Sequence, residues 1–136
     1  MNKHFLGLRT AIYRVTDLEA AKTWYSKILD MPPYFDEPFY VGYEVSGYEL
    51  GLIPFEGENS VDEGNPDNFG KGPPSDNIHI YWGVEDIHAS YQRLLDLGAT
   101  TNEAPNNVGG EMMVATLKDP WGNIFGIIYN PHFKLP

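Results

Sequence analysis

The sequence predicts an α+β fold of two modules, each reading as a strand, a helix and then a meander of strands. Three repeated features predict the pair of modules. A β-rich run ending in Asp occurs twice, an apolar helical stripe follows each run, and a glycine-led strand pattern closes each half. The opening runs are T-A-I-Y-R-V-T-D, Thr10 to Asp17, and H-I-Y-W-G-V-E-D, His79 to Asp86, 69 positions apart (79 − 10). Each final Asp is placed to cap a helix through its carboxylate.

In the first half Leu18, Ala21, Trp24, Tyr25, Ile28 and Leu29 form one apolar stripe. Pro32 and Pro33 are expected to end that helix. In the second half the stripe is Ile87, Tyr91, Leu94 and Leu95, closed by Gly98 at the position after the cap. Further strands are expected at Tyr40 to Val45 and Met112 to Leu117. The closing patterns are G-Y-E-L-G-L-I-P from Gly47 and G-N-I-F-G-I-I-Y-N-P from Gly122, 75 positions apart (122 − 47). A longer loop around Asn106 to Gly110 is expected to absorb the difference. Residues 56–77, rich in Gly, Pro, Asn and Asp, read as a linker. The chain is thus expected to be one domain over 1–136, with module one at about 5–55 and module two at about 78–131. Strand alternation turns Leu50 and Leu52 toward the helix, and Glu49, Gly51 and Ile53 to the other side.

With 42% hydrophobic and 14% aromatic residues the chain is expected to hold an ordered core. It has no cysteine, which removes disulfides and thiolate chemistry. Nineteen acidic against nine basic residues leave a net charge of −10. Such a field repels nucleic acid and anionic lipid and concentrates cations, so no nucleic-acid or membrane partner is expected. With no apolar stretch long enough for a secretory or membrane segment, a cytoplasmic location is the expectation.

Two of these motifs have a familiar form. V-T-D-L-E-A-A-K-T-W-Y, residues 15–25, resembles the V-x-D-x-x-x-A-x-x-F-Y first helix of the vicinal oxygen chelate superfamily. D-P-W-G-N, residues 119–123, resembles its D-P-x-G-N hairpin turn. That superfamily holds glyoxalases, lactoylglutathione lyase-like proteins, extradiol dioxygenases, and bleomycin- and fosfomycin-resistance proteins. The resemblance implies two βαβββ modules forming a curved mixed sheet around a ligand cup, with the helices on the convex side. In metal-dependent members the first and last strand of each half carry one ligand each. Carried over by position, those places hold Thr10, Gly51, His79 and Gly126. Zinc needs at least three well-placed protein donors, and only His79 is of ligand type, so no metal and no cofactor are expected.

The cup residues implied are Thr10, Ile12, Arg14, Glu49, Gly51, His79, Tyr81 and Gly126. His79 would serve as a hydrogen-bonding or acid–base group. Tyr81 would give an aromatic wall, and Arg14 and Glu49 would pair with each other or with charged parts of a ligand. The two glycines would enlarge the cup. The resulting expectation is a small-molecule-binding protein of the glyoxalase/bleomycin-resistance type, holding a mid-sized organic ligand between the modules and acting as a homodimer. One alternative is a lyase, isomerase or dioxygenase using His79 with Glu49 or Glu111 as metal ligands. The other is an interaction module with a vestigial cup.

Overall fold

The computed structural model describes residues 4, 8–55 and 79–133. The expected linker at 56–77 therefore lies outside the described residues. The chain divides into two compact units, Met1–Pro73 and Pro74–Pro136. Each holds one βαβββ module, and the described strands form two four-stranded mixed sheets.

Module one begins with β1 (Thr10–Val15), whose alternation buries Tyr13 and Val15. Helix α1 (Leu18–Leu29) starts where the Asp17 carboxylate accepts the Ala20 N–H at 3.0 Å. Of the expected stripe, Ala21, Tyr25 and Ile28 are buried, and Leu18, Trp24 and Leu29 flank it half-buried. The helix stops at Asp30 rather than at the prolines. Asp30 is left-handed (φ 55°), and the Met31 N–H turns back to the Ser26 carbonyl at 3.2 Å.

A short strand that the sequence pattern did not announce follows, β2 (Phe35–Glu37). Then come β3 (Tyr40–Val45) and β4 (Tyr48–Pro54), joined by a two-residue turn with positive φ at Ser46 (52°) and Gly47 (93°). That geometry matches the right-handed twist of the paired strands. The sheet order is β1-β4-β3-β2, with β1 parallel to β4. Leu50, Leu52, Val41 and Tyr43 are buried on the helix side, and the Tyr43 hydroxyl bonds both Ser26 Oγ and the Lys22 carbonyl at 2.9 Å. Lys22 reaches Asp36 of β2 at 3.0 Å, tying the outer strand to the helix.

Module two repeats the plan. Strand β5 is short (Tyr81–Gly83), and α2 (Ile87–Asp96) is capped by Asp86 accepting the Ala89 N–H at 3.1 Å. Gly98 has φ +111°, as expected just after the cap. Strand β6 (Thr100–Gly109) is ten residues long and irregular in register against β7 (Met112–Lys118), and β8 (Ile124–Tyr129) closes the sheet in the order β5-β8-β7-β6. Asn106–Gly109, expected as loop, therefore belongs to β6. Its extra length falls on an outer strand with exposed side chains, where no face pattern reveals it. Trp82 stacks on Phe125 of β8, centroids 6.2 Å apart.

Strand register confirms both sequence repeats. Ile12 pairs with Gly51 in module one, and Tyr81 pairs with Gly126 in module two. The hairpin between β7 and β8 is built on one carboxylate. Asp119 is buried and accepts from Trp121 N at 2.9 Å, Asn123 N at 2.8 Å and Asn123 Nδ2 at 2.9 Å. Gly122 supplies the positive φ of 88° that the turn requires. No helix among the described residues is long and apolar enough to cross a membrane.

Candidate functional site

Each sheet has a face turned away from its helix, and in module one that face is built on two bare strand positions. Gly42 of β3 and Gly51 of β4 are register partners. With no side chains there, aromatic rings can lie against the backbone. Tyr34 and Tyr40 take that space. A Cβ added at Gly51 would stand 2.7 Å from Tyr40 Cζ, and one at Gly42 would stand 3.0 Å from Tyr40 Cε1 and 3.2 Å from Tyr34 Cε1. The room expected beside Gly51 is thus filled by the protein's own tyrosine.

So placed, both phenols donate to the same carboxylate, Tyr34 to Glu49 Oε1 and Tyr40 to Glu49 Oε2. Burial and then the hydrogen bond to Glu49 push the Tyr40 phenol well above the usual tyrosine range. The hydrogen bond is the first cause of the rise at Tyr34. Both groups stay protonated donors at neutral pH. Because their pKa values are raised on folding, the associated stability is complete below about pH 10, the unfolded tyrosine value, and is lost as the pH rises through the folded values. Tyr40→Phe is therefore expected to flatten the alkaline fall of the unfolding midpoint. It should also remove the latest phase of phenolate absorbance. An unchanged alkaline slope would contradict the assignment.

Beside this cluster lies an open cleft of about 480 Å³, lined by Arg9, Thr10, Tyr34, Glu44, Gly47, Tyr48 and Glu49. Thr10 pairs in register with Glu49, whose N–H donates to the Arg9 carbonyl at 2.8 Å. Glu44 is the direct cross-strand partner of Glu49, and its Oε1 accepts the Gly47 N–H at 2.5 Å. Of the sequence-derived candidates, Thr10 and Glu49 meet in this cleft. Ile12, opposite Gly51, and Arg14, opposite Ile53, lie farther along the same face. The expected Glu49–Arg14 pairing does not form. Their register positions are four residues apart, about 13 Å at strand spacing, and the two phenols hold the carboxylate instead.

The other candidates belong to module two. His79 is exposed, its ring edge-on to Tyr81 at 6.2 Å. Tyr81 covers Gly126, where an added Cβ would meet Tyr81 Cδ1 at 2.7 Å and the Ile80 carbonyl oxygen at 2.6 Å. The space expected at Gly126 is therefore filled too. Thr116, the partner of Gly126, is buried and accepts from Asn102 Nδ2 at 2.9 Å. Glu111 sits exposed at the β6–β7 turn with φ 67°. His4, His88 and His132 are also exposed.

Sequence reasoning missed Arg9, Tyr34, Tyr40, Glu44 and Tyr48. The alternation of β3 could have found two of them, since Tyr40, Gly42 and Glu44 share the face of Glu49.

The profile of the Glyoxalase/Bleomycin resistance protein/Dioxygenase superfamily matches residues 4–127. The chain belongs to this superfamily. Solved structures agree on the superfamily's fold. A glyoxalase-related enzyme from Fulvimarina pelagi superposes with TM-score 0.74 at 18% identity, over 97% of this chain and 94% of that one. A lactoylglutathione lyase from Agrobacterium tumefaciens gives 0.73 at 16%, over 96% and 100%. A glyoxalase/bleomycin resistance protein from Albidiferax ferrireducens T118 gives 0.69 at 19%, over 91% and 98%. No curated protein matches the chain in sequence.

Superfamily resemblance implies metal ligands at Thr10, Gly51, His79 and Gly126, and these residues do not fit a divalent ion. Two offer no donor, and the volume a donor side chain would need there is taken by Tyr40, Tyr81 and the Ile80 carbonyl. Among the described residues no three His, Asp or Glu side chains gather in a way that could hold a metal.

Proposed function

We propose that this protein binds a small organic molecule on the helix-free face of module one and does so without divalent-metal chemistry. The observation that carries this reading is the cleft at Thr10 and Glu49. It has the volume typical of small-ligand sites, about 300–1,000 Å³, and it is framed by aromatic rings around a fixed carboxylate. Ile12, Arg14 and Gly51 extend the same surface, and His79, Tyr81 and Gly126 are the counterpart surface in module two. The reading includes a homodimer, as in the antibiotic-sequestering proteins that the sequence resembles.

A thermal-shift screen of small molecules followed by amide NMR tests it. A hit is expected to shift the resonances of Tyr34, Gly47, Tyr48 and Glu49, while zinc, nickel, manganese and iron leave the unfolding temperature unchanged. Light scattering should give twice the chain mass of 15.3 kDa. A metal that stabilises the protein, with the effect lost in His79→Ala, would overturn the reading in favour of a metal-dependent enzyme.

A further inference from the structure

Glu44 and Glu49 stand directly opposite each other in the antiparallel β3–β4 pair, and both line the cleft. Like charges so placed normally destabilise a sheet. Nothing among the described residues neutralises them by an ion pair. Their hydrogen-bond partners are two phenols and a backbone N–H, all uncharged. These neutral donors fix the carboxylates in place without cancelling their negative charge. Among the described lining residues Arg9 is the one cation, against two carboxylates.

The walls have a matching chemistry. Tyr34 is 61% exposed, so its ring remains available to a ligand. Aromatic faces attract cations through the ring quadrupole, and more strongly where the cation is desolvated. A bare divalent ion suits this place poorly, because the phenols already occupy lone pairs of Glu49. A cation of diffuse charge on an apolar body needs only the field and an aromatic face. The net charge of −10 adds long-range attraction for such a molecule.

We infer that the ligand of the module-one cleft is an organic cation, a protonated amine or quaternary ammonium on an aromatic or alkyl body, with its nitrogen against Glu49 and its body against Tyr34. This rests on the reading of the cleft as a binding site, and the test separates the two. Benzylammonium and benzyl alcohol share a ring and differ in charge at neutral pH. Each is titrated at low salt, with amide shifts of Gly47, Tyr48 and Glu49 as the readout.

Benzylammonium should bind about tenfold more tightly than benzyl alcohol, the fold-change of one charge-assisted hydrogen bond. The advantage should shrink to less than about twofold in Glu49→Gln, and should fall as salt is raised. Glu44→Gln, checked alongside for native circular dichroism, should lower it in the same direction and keeps the test valid if Glu49→Gln does not fold. Equal binding of both probes to the parent would overturn the cation assignment and leave the cleft as a neutral-ligand site. If neither probe moves these resonances, the cation assignment falls, and the cleft itself then stands or falls with the small-molecule screen.

Discussion

Asp119→Ala is expected to lower stability by about 3–5 kcal/mol and the unfolding midpoint by more than about 10 °C. Asp119 and Asn123 are both buried, and one carboxylate satisfies Trp121 N, Asn123 N and Asn123 Nδ2. Alanine removes the acceptor from all three donors at once, and a buried donor left without a partner loses its full hydration. Asp119→Asn keeps the shape but turns an amide toward the amide of Asn123, so an intermediate loss is expected. Urea unfolding of the two variants against the parent measures this. A change within about 0.5 kcal/mol, as at an ordinary surface site, would show that the hairpin does not depend on this network.

Gly126→Leu should be the next most damaging change, at about 3 kcal/mol, the upper end of the cost of overpacking. The first atom of the new side chain would stand 2.6 Å from the Ile80 carbonyl, the same oxygen that accepts the Gly126 N–H at 2.9 Å. Backbone cannot move aside there without loosening β5, a strand of three residues whose one partner among the described strands is β8. The Trp82–Phe125 stack should loosen with it, and tryptophan fluorescence reports that. Gly51→Ala is the control. Its obstacle is the far end of the Tyr40 side chain, which can swing away, so the fold should survive while Glu49 loses a donor. If the two glycine variants prove equally stable, the Ile80 contact is not what requires glycine at 126.

The module plan was readable because it is written in periodic patterns. Asp17 and Asp86 cap helices, Gly98 supplies a positive φ, and β3 spans the residues expected of it. Strands β2 and β6 were hidden for a common reason. Both are outer strands with exposed side chains, so neither shows the alternation that burial of one face produces. At the site, Thr10 and Glu49 could be placed on their face by counting residues. Tyr34 could not, because it precedes β2 and reaches Glu49 by lying across Gly42, a contact set by tertiary packing. The glycines at 51 and 126 were found by position, but an absent side chain does not say which neighbour fills the space.

The answer to that last question differs between the halves. Gly51 is covered by Tyr40 from β3, an inner strand, whereas Gly126 is covered by Tyr81 from β5, at the edge of its sheet. By the repeat, the counterpart of Tyr81 in module one is Ile12, already paired with Gly51. The halves have therefore ceased to be interchangeable parts, although their backbones still follow one plan. A consensus averaged over both would fail in two opposite ways. Tyrosine at position 12 would crowd a ring that is already seated, and isoleucine at position 81 would strip the cover from Gly126.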